Sequence, residues 1–185
     1  MHKDFKGEKM RKNSKGFSLI ELLIVVAIIL IIAAIAIPDL LKSRQAANQA
    51  SAVGSLRTIN TSEVAYSTTY TLGFSPSLLD LDGTLAVSNS TSAGLIDSIL
   101  GGGIKSNYNF IYVANAAAAA APSACVAAPV AVAAVVAPTN TVATYNINAS
   151  PLGCASGNYY FTDMSGVIRM NNTAAANSSD TPLAG

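Results

Sequence analysis

Histidine is almost missing from this 185-residue chain: the single one is His2, near the amino end. Beyond it no imidazole is available for general base work or for metal ligation. The many serines and threonines therefore lack the His or Lys partner that nucleophilic catalysis needs. Charge is thin as well, at 11% of residues. Aromatic residues are absent between Ser18 and Ala65, which removes the ring stacks that electron transport along that stretch would require. No proline falls between Asp39 and Tyr70, and there are only two cysteines, Cys125 and Cys154. With no catalytic constellation, no cofactor site and no metal centre in view, an enzyme is not expected. Asp80, Asp82 and Gly83 superficially look like a calcium loop. They lack the further oxygen ligands and closing glutamate of an EF-hand, and the grouping reads as a turn.

What charge there is lies unevenly. Residues 1–16 hold Lys3, Lys6, Lys9, Arg11, Lys12 and Lys15 against Asp4 and Glu8, a net of +4. The other 169 residues carry five basic and eight acidic side chains, a net of −3. No basic patch survives after residue 16, so nucleic-acid binding has no support. From Leu19 to Ile37 run 19 residues, of which Glu21 is the only polar one. As a helix at ~1.5 Å per residue this run is about 28 Å long, close to the ~30 Å hydrocarbon core of a bilayer. Basic flanks remain cytoplasmic, so the sequence predicts one inner-membrane pass, with the amino terminus inside and everything after Pro38 exported. The plain alternatives are an ordinary secretory signal, cut at Ala34-Ile35-Ala36, and a simple membrane anchor. The apolar run exceeds the ~7–15 residues usual for a secretory signal. Glu21 would also be a needless burden there, since an intramembrane charge costs ~2.5–3.5 kcal/mol at a helix centre.

The junction Gly16-Phe17-Ser18-Leu19-Ile20-Glu21-Leu22 resembles the processing site of type IV pilins and of the related pseudopilins of type II secretion. The resemblance is strong over about residues 15 to 60. It is weaker over Tyr108 to Ala114, Tyr145 to Pro151 and Tyr159 to Arg169, which look like sheet segments of bacterial pilin-like proteins. It implies a leader of residues 1–16, removed after Gly16 by a membrane prepilin peptidase, and N-methylation of the new terminal Phe17. It implies a transmembrane and filament-core helix over residues 17–38, the inner-membrane pilus assembly machinery as partner, and copies of the chain itself as the main contact. Pro38 stands where many members of that family have a proline.

The physics of the motif can be argued from the residues. Cleavage on the cytoplasmic side leaves the apolar helix attached and exposes an amine beside it. A lone carboxylate in a low-dielectric setting needs a partner. For Glu21 that partner is a cation four residues away on its own helix or, more informatively, the Phe17 amine of a neighbouring subunit. The second pairing makes Glu21 an assembly residue that sets the register between helices. Lipid surrounds this helix before assembly and other copies replace it afterwards, so packing and the Glu21 pairing decide the geometry. Pro38 removes one helical hydrogen bond and predicts a kink or local melting.

Residues 39–72 read as an amphipathic continuation of the helix, with Ala52, Leu56, Ile59 and Tyr66 on one face and Val53 and Val64 widening the stripe. Gly73 is available as its cap. Residues 73–185 are then a head of α+β class, a small antiparallel sheet of three or four strands laid on the second half of the helix. The strand candidates are Asn107–Asn115, Thr141–Ala149, Asn158–Asp163 and Val167–Met170, with Tyr108, Phe110 and Tyr112 facing the core and Asn107, Asn109 and Ile111 facing away. Residues 114–138 form an alanine-rich insertion, and alanine adds little buried area. Cys125 and Cys154 lie in the exported part, where oxidation is permitted. An internal disulfide would close about 30 residues and stabilise by ~3–4 kcal/mol; two free thiols or a bond between subunits are the other arrangements. The function these features predict is a structural subunit of a type IV pilus, serving adhesion, twitching motility or DNA uptake. The alternatives are a major pseudopilin of type II secretion, with a periplasmic pseudopilus in place of a surface filament, or a non-polymerising anchored binding module.

Overall fold

A computed structural model of the chain describes residues 16–83, 88–115, 142–154 and 157–183. Cys125 and nearly all of the alanine-rich insertion fall outside these residues, as does the basic leader before Gly16, so the pairing of Cys125 with Cys154 lies outside them too. The described residues form an α+β fold: one long helix and a six-stranded antiparallel sheet. Two compact units emerge, one ending at Lys42 and one beginning at Ser43.

Helix α1, Leu19–Tyr70, is 52 residues long and contains Pro38. In the first unit it is apolar on every side. Each large apolar side chain from Phe17 to Leu41 is exposed, the least so being Val26 at 46%. A helix that is hydrophobic all round belongs in a membrane or inside a protein assembly.

In the second unit α1 turns amphipathic. Ala52, Leu56, Ile59 and Tyr66 are buried, as the stripe predicts, and Ser55, Ser62 and Glu63 are buried with them. The helix ends in an unexpected way. Its left-handed terminal residue is Thr71, with φ 55°, whose N–H donates to the Ser67 carbonyl at 3.2 Å. Gly73, the expected cap, has another task. It too is left-handed, with φ 83°, and a Cβ there would stand 2.3 Å from the Val142 carbonyl oxygen. Glycine is required where two backbones meet so closely.

Two short helices follow, α2 at Leu78–Leu81 and α3 at Ser98–Gly101, and then the sheet. Its strands are β1 (Ile104–Lys105), β2 (Tyr108–Ala114), β3 (Tyr145–Pro151), β4 (Tyr159–Asp163), β5 (Arg169–Asn171) and β6 (Thr181–Pro182), and each pairs with the next in sequence. Register is fixed by pairs such as Phe110↔Ala149 and Ala149↔Tyr160. The sequence reading of three or four strands missed β1 and β6, each two residues long and too short to show alternation. It also placed Asn107 in a strand. Ser106 and Asn107 are both left-handed, with φ 50° and 62°, and form the two-residue turn between β1 and β2, a conformation that matches the twist of a tight hairpin. The main core joins the α1 stripe to Tyr108, Phe110 and Tyr112 of β2, Tyr145, Ile147 and Ala149 of β3, and Leu78, Leu81 and Leu100. Tyr112 and Tyr145 stack with ring centroids 5.7 Å apart.

The sheet departs from a one-sided design. All seven positions of β3 are buried. Asn109, predicted to face away, is 1% exposed. Asn109, Asn146 and Asn148 carry buried amide atoms with no hydrogen-bond partner among the described residues.

Candidate functional site: the amino-terminal segment and the buried acid of α1

Gly16, Phe17 and Ser18 precede the first helical residue, so the Gly16–Phe17 bond lies in exposed backbone outside the helix. Phe17 is 80% exposed, and a Cβ at Gly16 would meet nothing within 4 Å. A peptidase needs such an unfolded stretch, because helical hydrogen bonds withhold the peptide from an extended binding cleft. The helix begins with the Leu22 N–H donating to the Ser18 carbonyl at 3.2 Å. Glu21 sits in the first turn of α1, where unpaired N–H groups and the positive end of the helix dipole favour a carboxylate. It is exposed and makes no ion pair among the described residues. Around it is a surface of leucine, isoleucine and valine, so its carboxylate is the single polar handle on an apolar cylinder. Pro38 lies inside α1, with helical residues on both sides.

Asp80 and Asp82 flank the end of α2. The Asp80 carboxylate accepts from Ser77 Oγ at 2.7 Å, and Asp82 is buried at the end of α2. Among the described residues no three His, Cys, Asp or Glu side chains stand together as a metal site.

Sequence reasoning missed Glu63. It is fully buried and grips the segment after the helix. The Ser75 N–H donates to Glu63 Oε2 at 2.8 Å, and Ser75 Oγ lies 2.6 Å from Oε1. The Tyr112 hydroxyl donates to the Ser75 carbonyl at 2.7 Å. Burial pushes the Glu63 carboxyl up from its ordinary value, against the lowering effect of the Ser75 hydrogen bonds. Tyr66 is pushed up to about 12, again chiefly by burial, and Tyr112 and Tyr145 move the same way for the same reason. The missed signal was spacing: Glu63 follows Ile59 by four residues and precedes Tyr66 by three, so it falls on the buried stripe.

Comparison with known proteins bears on the amino-terminal segment alone. Residues 11–37 match the family described as the prokaryotic N-terminal methylation motif. The chain is 65% identical over 37 residues to the type IV wide pilus major component of Thermus thermophilus, a stretch that covers 20% of this chain and 28% of that relative. No solved structure matches. The amino-terminal segment thus carries the prokaryotic N-terminal methylation motif and is similar there to a type IV pilus component, ahead of an apolar helix and an α+β head.

Proposed function

We propose that the chain is a structural subunit of a type IV pilus, held in the inner membrane by the first part of α1 and polymerised from there into a surface filament. The observation that carries this reading is an all-apolar, fully exposed helix that opens with the unpartnered carboxylate Glu21 directly behind the methylation motif. Likeness over this segment to a wide pilus major component supports it. In this reading prepilin peptidase cuts between Gly16 and Phe17, Phe17 is N-methylated, and the amine of one subunit neutralises Glu21 of another. Pro38 loosens the helix during packing. Cys125 and Cys154 form an internal disulfide in the oxidising exterior.

The experiment combines mass spectrometry of the mature chain with imaging of cells carrying Glu21→Ala. The expected result is a terminus at methylated Phe17, surface filaments in the parent, and none in the variant. Finding Met1 or Asp39 at the terminus would overturn the processing assignment. Normal function and dispersed monomers in the variant would identify an anchored binding module. Loss of an exported enzyme on deletion, without any surface filament in the parent, would identify a secretion pseudopilin.

A further inference from the structure

Between α1 and α3 the chain makes a connection, described at residues 71–83 and 88–97. Three side chains from neighbouring positions on α1 hold it. Ser62 Oγ donates to the Leu95 carbonyl at 3.1 Å, and the Tyr66 hydroxyl donates to the Ser90 carbonyl at 2.7 Å. Glu63 meets both the N–H and the hydroxyl of Ser75. The two arms of the connection also bind each other, through the Ala93 N–H to Asp80 and the Leu95 N–H to Leu81, each at 2.8 Å. Release at Ser75 therefore strains the whole connection.

The groups facing the Glu63 carboxyl are Tyr66 on its own helix, Asp80 on α2, Tyr112 on β2 and Tyr145 on β3. All are acids. No lysine or arginine among the described residues pairs with Glu63. Complete burial without a cation favours its neutral form, and the hydrogens can be placed to suit it. The single Ser75 hydroxyl hydrogen has three acceptors within reach, Glu63 Oε1 at 2.6 Å, the Ser77 carbonyl at 3.1 Å and the Tyr112 hydroxyl oxygen at 3.4 Å. If Glu63 is neutral, its own hydrogen goes from Oε1 to Ser75 Oγ, and the Ser75 hydrogen passes on to Ser77. Every donor then has an acceptor. If Glu63 is ionised, the Ser75 hydrogen turns back to it, the Ser77 carbonyl keeps only the Asp80 N–H at 3.2 Å, and a negative charge with no cation opposite it stays fully buried, which is costly.

We propose that Glu63 is a proton-operated fastener: neutral, it holds Ser75 and the connection after it on α1; ionised, it releases them while the sheet stays paired. Loss of the proton brings Glu63 to water by local opening, a route that costs less than unfolding the head.

Amide hydrogen exchange on the full chain in detergent micelles tests this, comparing wild type with Glu63→Gln across pH. Glutamine keeps the shape and stays neutral, so the ratio of the two proteins cancels the intrinsic pH dependence of exchange. Above the folded pKa, opening of residues 75–82 and 92–97 in wild type relative to the variant should rise by about tenfold per pH unit. The same ratio at β2, β3 and β4 should stay flat. A flat ratio everywhere overturns the proposal, and so does a rise shared equally by the sheet. A carbon-13 titration of the Glu63 carboxyl in the wild-type chain gives an independent reading should the variant fail to fold. Titration at an ordinary glutamate value would overturn the fastener.

Discussion

A carboxyl with no accessible surface, wedged between Ser75 and three tyrosines, ties the stability of the head to pH. Glu63 and Asp80 are both raised from their ordinary values, chiefly by burial. A carboxyl raised in the folded state binds protons more tightly there than in the unfolded chain. Its contribution is therefore complete below the unfolded value, near 4.3 for glutamate, and is lost as pH climbs through the folded value. Asp97 works in the opposite sense. Its hydrogen bond from Lys105 lowers it, but the pair is well exposed, so solvent screening leaves it little weight. Urea unfolding followed by the tyrosine near-ultraviolet signal, from about pH 4 to about pH 9, should show stability declining as pH rises. Glu63→Gln should flatten most of that decline and be the more stable protein at the alkaline end. A wild-type profile that rises with pH would contradict the assignment.

Elements meet where side chains cannot fit, and two left-handed glycines make a matched comparison. Gly73, at the exit of α1, abuts the Val142 carbonyl, whereas a Cβ at Gly153 would find nothing within 4 Å. Gly153→Ala should cost about 1–2 kcal/mol, the penalty for a left-handed residue with a side chain. Gly73→Ala adds a backbone collision, so it should cost about 3 kcal/mol or more. Thermal unfolding of the two variants side by side measures the difference, and equal costs would refute the close approach. Much of this architecture was legible in the sequence. The apolar run, the amphipathic stripe and the alternation of Tyr108, Phe110 and Tyr112 each carry a period that long elements repeat. Strands β1 and β6 repeat nothing in two residues. The left-handed end of α1 fell on Thr71 because Gly73 was already committed to Val142, a contact across 69 positions that local pattern cannot encode. Glu63 was overlooked because a charge on a stripe looks like an interruption until its partner, Ser75, is seen. In the amino-terminal segment the methylation motif was legible because it is local: residue order along the chain alone specifies it.

On the scale of the whole molecule, the two units differ in the surface they expose. Monomeric soluble proteins seldom expose an apolar patch beyond ~300–600 Å², and every large apolar side chain from Phe17 to Leu41 is exposed. The main core begins at Ala52 and draws only on the second unit. A fragment beginning at Ser43 should therefore be a soluble monomer that unfolds cooperatively, checked by size-exclusion chromatography and calorimetry. Aggregation of that fragment would show that the first unit is needed to complete the head. The strand order has a consequence for how such a head is made. Every described strand lies beside its predecessor, so a chain emerging from its amino end delivers each new strand to a waiting edge. Among the described strands nothing emerging late has to be inserted between strands already joined, and synthesis and folding can proceed in the same direction.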